Sequence, residues 1–238
     1  MSEAELGMPT MRHPKRYNIR PWKRCPANGE KRRIALSDAH RGAQAADPAS
    51  LVRAFQAVAR QILLKWFVPN SCITATRIAV DCMAHFGISA HGVNTLFTCS
   101  CASLALSYVA GADEAERRRF CILATGINAD LPYRVPGFTG HVVAIAGRCL
   151  VDPTFDQASL PDHGLVIPPR ILVVPLAPED DPYKLHIKQQ IVIENGVQLH
   201  VQYISLPSRG FMDTPAWNAE LSDPIAEICR AMARFLEP

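Results

Sequence analysis

The stretch Gly140-His141-Val142-Val143-Ala144-Ile145-Ala146-Gly147-Arg148-Cys149-Leu150-Val151-Asp152-Pro153-Thr154 leaves this chain few options. Two short apolar runs flank Gly147-Arg148, a pair suited to a tight two-residue turn, so the stretch predicts a β-hairpin. If Ala146 pairs with Cys149, Val143 stands opposite Asp152. Successive side chains alternate between the faces of a strand, so His141, Val143 and Asp152 share one face, and His141 and Asp152 become diagonal neighbours. A carboxylate in that position orients an imidazole, and an imidazole so oriented is half of a catalytic relay. The other half is a nucleophile, for which Cys72 is the candidate.

The elements around the hairpin follow from punctuation and periodicity. Asp47-Pro48 is a helix-start signal, and Leu51, Phe55, Val58, Ile62, Leu63 and Trp66 recur at helical spacing, predicting an amphipathic helix to about Phe67. Pro69-Asn70-Ser71 breaks it. A second helix begins at Cys72, with Ala75, Ala79, Cys82, Met83 and Phe86 on one side, and Gly87 ends it. Ile88 to Val93 reads as a turn into a strand. Residues 99–110 are small and apolar and fit either strand or helix. A strand is predicted over Phe120 to Thr125, and a Pro- and Gly-rich loop, Leu131 to Thr139, leads into His141. Beyond Asp152 come the apolar run Ile171 to Leu176 and a hairpin, Ile191 to Val201, whose Asn195-Gly196 suits a type I′ turn. The chain ends in a helix capped by Ser222 or Asp223, with Pro224 in its first turn and Ile225, Ile228, Cys229, Met232 and Phe235 inward. Helix, helix, antiparallel strands, helix is an α+β order, with helices packed on one face of a sheet.

Composition bounds the rest. The 238 residues are 48% hydrophobic and 20% charged, enough for one globular domain with a tail. Eight cysteines at irregular spacing, several inside apolar runs, point to buried thiols in a reducing, cytoplasmic setting rather than a disulfide framework. The N-terminus lacks the basic-then-apolar order of a secretory signal. The uncharged stretch His91 to Ala112 carries Asn94 and several Ser and Thr, which fits a buried strand and a small-residue helix better than a membrane span. Residues 12–33 hold nine Lys or Arg against one acid, Glu30, and include Pro14, Pro21 and Pro26 without apolar periodicity. Residues 1–46 are therefore expected to be a disordered basic tail: an arm for nucleic acid, a solvated leader, or a consequence of a start codon upstream of Met8 or Met11. Residues 47–238 form the domain.

A thiol with a reference pKa of about 8.5 is mostly protonated at neutral pH. A nearby imidazolium and a helix N-terminus both favour the thiolate. Cys72 stands at the first turn of its helix, and an approaching His141 would complete an ion pair that Asp152 stabilises. Such a sulfur attacks an amide or ester carbonyl, and water or an amine resolves the thioester. The Cys72 N–H is the natural first oxyanion donor; Asn70 and Gln61 are the candidates for the second. Taken singly, each residue has a blander reading: a small buried cysteine, a satisfied core histidine, a turn aspartate. Their combination points to catalysis.

Over residues 70–157 the chain resembles the transglutaminase-like cysteine enzymes, the superfamily around the papain-like fold. That pattern sets Cys at the start of a helix ending in a Gly-Ile-Pro-Ala-Arg-like turn, here Gly87-Ile88-Ser89-Ala90-His91. His follows in a His-Ala-Trp-like strand, here His141-Val142-Val143, and Asp in Asp-Pro-Thr, here Asp152-Pro153-Thr154. The resemblance implies a papain-like, transglutaminase-like fold with Cys72 as nucleophile, His141 as base and Asp152 as orienting acid. It implies a cysteine hydrolase or acyltransferase acting on a peptide or amide substrate, with no cofactor and no metal. Val142-Val143 in place of Ala-Trp leaves the aromatic wall beside the histidine unsupplied at this position. The arylamine N-acetyltransferases, with Val-Asp-Val-Gly-Phe where this chain has Val-Asp-Pro-Thr-Phe, fit less well. Hydrolysis is the expected outcome, because nothing marks an amine site. The rival is a non-catalytic binding module on the same fold, with residues 12–33 touching nucleic acid.

Three other groups carry weaker readings. Cys99-Ser100-Cys101 with Cys121 and His91 has no standard zinc spacing and reads as buried thiols. Asp156-Gln157 reads as surface turn or cleft border. Tyr133 and Phe138 are candidates for a substrate rim.

Overall fold

The computed structural model describes residues 47–66, 72–101, 140–159, 166–193, 196–207 and 209–237. The basic tail, Asn70, the predicted strand at 120–125 and the rim candidates Tyr133 and Phe138 lie outside them.

Helix α1 spans Pro48–Trp66 and α2 spans Cys72–His85. Six strands follow: β1 (Ala90–Cys101), β2 (His141–Ala146), β3 (Cys149–Asp152), β4 (Leu172–Pro175), β5 (His186–Val192) and β6 (Gln198–Ser205). Helix α3, Ser222–Leu236, closes the order. The strands form one antiparallel sheet in the order β4-β3-β2-β1-β6-β5. The α+β class expected from the sequence is the one observed.

Local chemistry explains the boundaries. Asp47 caps α1, its Oδ1 accepting from the Ser50 N–H at 3.0 Å. At the end of α2 the Gly87 N–H donates to the Ala84 carbonyl and the Ile88 N–H to the Met83 carbonyl, each at 3.0 Å. The β2–β3 hairpin has the expected register, Ala146 opposite Cys149 and Ala144 opposite Val151, with Gly147-Arg148 as its turn. The β5–β6 hairpin pairs Val192 with Gln198, and Gly196 between them has φ +77°. Strand β4 ends in Pro175 at a sheet edge, where a missing N–H costs no ladder bond.

Alternation divides the interior into two large cores, with a small third cluster of Ile73, Val142, Phe211 and Trp217. Ala144, Ala146 and Val151 face the helices and pack with Leu51, Phe55, Ile78, Met83, Ile228 and Met232. Val143, Ile145 and Leu150 face the other way and join Phe97, Val174, Ile187 and Val201. That second cluster takes residues from all six strands, so the sheet curls around it. Each fully buried Leu, Ile or Phe contributes about 1.5–3 kcal/mol. Strand β2 is buried at every position, which is why its sequence reads as a continuous apolar run.

Two helical expectations shift. Phe235 is 54% exposed and Ala233 takes its place inward, because contact with α1 and α2 moves the apolar stripe of α3 to Ile228, Cys229, Met232 and Ala233. Leu221, not Ser222 or Asp223, holds the N-cap position, without a side-chain bond. Trp66 is also exposed at the end of α1, its Nε1 donating to Glu227 at 2.9 Å. No described helix is long and apolar enough to cross a membrane.

Candidate functional site

The hairpin brings His141 and Asp152 into contact. His141 Nε2 donates to Asp152 Oδ2 at 2.8 Å, and the carboxylate is fully buried. The same oxygen accepts the Tyr203 hydroxyl at 2.8 Å. Oδ1 accepts the Thr154 N–H at 3.0 Å, the Asx-type turn that Asp-Pro-Thr favours, with the Thr154 hydroxyl at 3.4 Å. A buried carboxylate needs such donors, since an unpaired charge in this core would be prohibitive.

The charges reinforce one another. Burial alone would raise the Asp152 carboxyl, but the His141 charge and hydrogen bond, with Thr154 and Tyr203, hold it below the ordinary carboxylate range. Burial alone would lower the His141 imidazole. The Asp152 charge and hydrogen bond outweigh it, the Cys72 thiol adds to them, and the ring is raised from 6.5 to about 10. Burial and the Asp152 charge push the Tyr203 phenol well above its usual value, so it remains a donor.

Cys72 is the first residue of α2, half-buried against Ile73, Val142, Phe211 and Trp217. Its thiol lies close enough to the His141 ring to act on it by charge and hydrogen bonding. With Nε2 engaged by Asp152, Nδ1 is the ring nitrogen left for the sulfur. Two buried threonines fix the approach. Thr76, one turn after Cys72, donates its hydroxyl to the Val142 carbonyl at 2.8 Å, and Thr95 donates to the His141 carbonyl at 2.9 Å. Before the histidine, Gly140 has φ +131°, and a Cβ there would overlap Asn94 Oδ1 and stand 3.1 Å from the Thr95 carbonyl oxygen. On β1, a Cβ at Gly92 would stand 2.8 Å from the Trp217 ring, so the missing side chain lets the Phe211–Trp217 pair close over the strand beside Cys72.

The aromatic wall absent from Val142-Val143 comes from another strand. The Phe97 ring lies 5.0 Å from the His141 ring and 4.8 Å from Tyr203. Phe97, Tyr203, Thr76 and Thr95 escaped the sequence reading. Thr76 carried the one local signal: i+4 from Cys72 puts it on the same helix face.

The structure brings Cys72, His141 and Asp152 together. Gln61 is exposed on α1 and takes part in none of the hydrogen bonds described for the site. Asp156 is no surface turn residue: it forms an ion pair with Arg60 of α1, each side chain 11% exposed, beneath the turn that carries Asp152. The reason is the 3-10 turn Phe155–Ala158, which buries Phe155 and swings Asp156 toward α1. Cys99 is buried in the second core, and His91 stacks on Tyr183 with ring centroids 4.4 Å apart; Cys121 lies outside the described residues. Among the described residues no cluster of three or more His, Cys, Asp or Glu is arranged to hold a metal ion.

Set against known proteins, the chain matches no family model, no curated protein and no solved structure.

Proposed function

We propose that this chain is a cysteine hydrolase or acyltransferase of transglutaminase-like type, acting at amide bonds through a Cys72 thioester. One observation carries the reading: a thiol at a helix N-terminus lies against an imidazole whose far nitrogen is bonded to a buried carboxylate. That is the arrangement thiolate chemistry requires.

The steps follow from the geometry. Cys72 attacks the substrate carbonyl as the thiolate, with the imidazolium beside it. Negative charge develops on the carbonyl oxygen, and the Cys72 N–H, which at the first turn of α2 has no acceptor within the helix, is the proposed donor to it. His141 passes its proton to the leaving amine, and the thioester remains. The neutral ring then takes a proton from water, hydroxide adds to the thioester, and the acid departs as the thiol is restored. Asp152 keeps Nε2 protonated throughout, so that Nδ1 does the proton transfer. Water is the proposed acceptor; a peptide or other amide is the proposed substrate class.

Iodoacetamide labelling with mass mapping tests this reading. Fast, pH-dependent alkylation of Cys72, slowed in His141→Ala, is the expected outcome. Turnover of a fluorogenic peptide amide should fall about 10²- to 10⁴-fold in the same variant. Alkylation at the rate of an ordinary surface thiol, or none, overturns it and favours a binding module.

A further inference from the structure

Tyr203 stands out among its neighbours. It is fully buried on β6 in an aromatic cluster with Phe97 and Phe155, where phenylalanine would fill nearly the same volume. Its hydroxyl donates to Asp152 Oδ2, 51 residues away in the chain. That oxygen is also the one that binds His141. Thr154 anchors the other carboxylate oxygen. Held at both oxygens, the carboxylate cannot rotate about its Cβ–Cγ bond, and its remaining lone pair on Oδ2 faces the imidazole.

We propose that Tyr203 is a positioning residue of this site, a fourth member that acts through Asp152 by pinning the oxygen that orients His141. The inference rests on the reading of His141 as the base. The hydroxyl does two things at once. It fixes the direction of Oδ2, and it draws off part of that oxygen's charge, moderating how tightly the imidazolium holds its proton. A base must release its proton to the leaving group, so an Asp152 without this second donor would hold His141 protonated too strongly.

The test is an NMR titration of the His141 ring in the resting protein, its resonance assigned by its loss in His141→Gln. In Tyr203→Phe the carboxylate keeps the ring but loses a donor, and the His141 midpoint should rise by about one pH unit. In an Asp152→Asn background the same substitution should leave the midpoint where it is, because the route through the carboxylate is gone. Should Tyr203→Phe fail to fold, 3,5-difluorotyrosine placed at 203 offers a stronger donor of similar shape, and the midpoint should then fall. An unmoved midpoint in the folded phenylalanine variant, a shift of the opposite sign, or an equal shift with and without the Asp152 carboxylate overturns the proposal. The titration needs no turnover, so a silent Cys72 would show in the alkylation and not here.

Discussion

The backbone before His141 requires glycine. Gly140 sits at φ +131°, and a side chain there would collide with Asn94 and the Thr95 carbonyl, the same threonine whose hydroxyl holds the His141 carbonyl. Gly140→Ala should therefore cost about 1–3 kcal/mol of stability, read as a lower urea midpoint, and should slow Cys72 alkylation as His141 is displaced. An unchanged midpoint with unchanged alkylation would contradict this account. At this scale the sequence was legible where a residue's neighbours in the chain explain it. Cys72 starts a helix, His141 starts a strand, and Asp152 precedes Pro-Thr, so each advertises its place locally. Tyr203, Thr76 and Thr95 do not, because their partners stand 51, 66 and 46 residues away. A polar residue in an apolar strand shows that it needs a partner without showing which.

At the scale of elements, α2 and β2 are joined by more than apolar packing. The Thr76 hydroxyl donates to the Val142 carbonyl with both residues fully buried, so the helix is held in register with the strand one residue from His141. Thr76→Val preserves shape and leaves that carbonyl unsatisfied, a loss of about 1–3 kcal/mol. It should slow Cys72 alkylation and lower the His141 midpoint slightly, since the displaced thiol no longer adds to the Asp152 contribution that raises the ring. If alkylation keeps its rate, the clamp does not position the thiol. Helices α1 and α2 and both hairpins could be read from capping signals, periodicity and turn residues, all short-range. What escaped was the segment from Gly210 to Asn218, whose 3-10 turn folds Phe211 and Trp217 over Gly92 next to Cys72. No periodicity announces it; its shape is dictated by the surface it covers. The inward placing of Phe235 failed for a related reason: the stripe of a helix is set by what lies opposite, which α3 cannot encode alone.

For the whole molecule, the ion pair couples folding to pH with a definite sign. The His141 imidazole is raised to about 10 in the fold, so its contribution is complete below its unfolded value of about 6.5 and drains away as pH climbs toward 10. Asp152 is lowered, so its contribution is present above its unfolded value of about 3.9 and is lost as pH falls through its lower folded value. Denaturation midpoints should fall between pH 6.5 and 10 more steeply in the native protein than in His141→Gln. Parallel curves would mean that the buried ring carries no charge. The two-core plan has a further consequence. The sulfur rides on the helical layer, whereas the imidazole and carboxylate belong to the curled sheet. Heat that loosens the helices first would leave the dyad whole but idle, and thiol reactivity would fade several degrees before the strands give way.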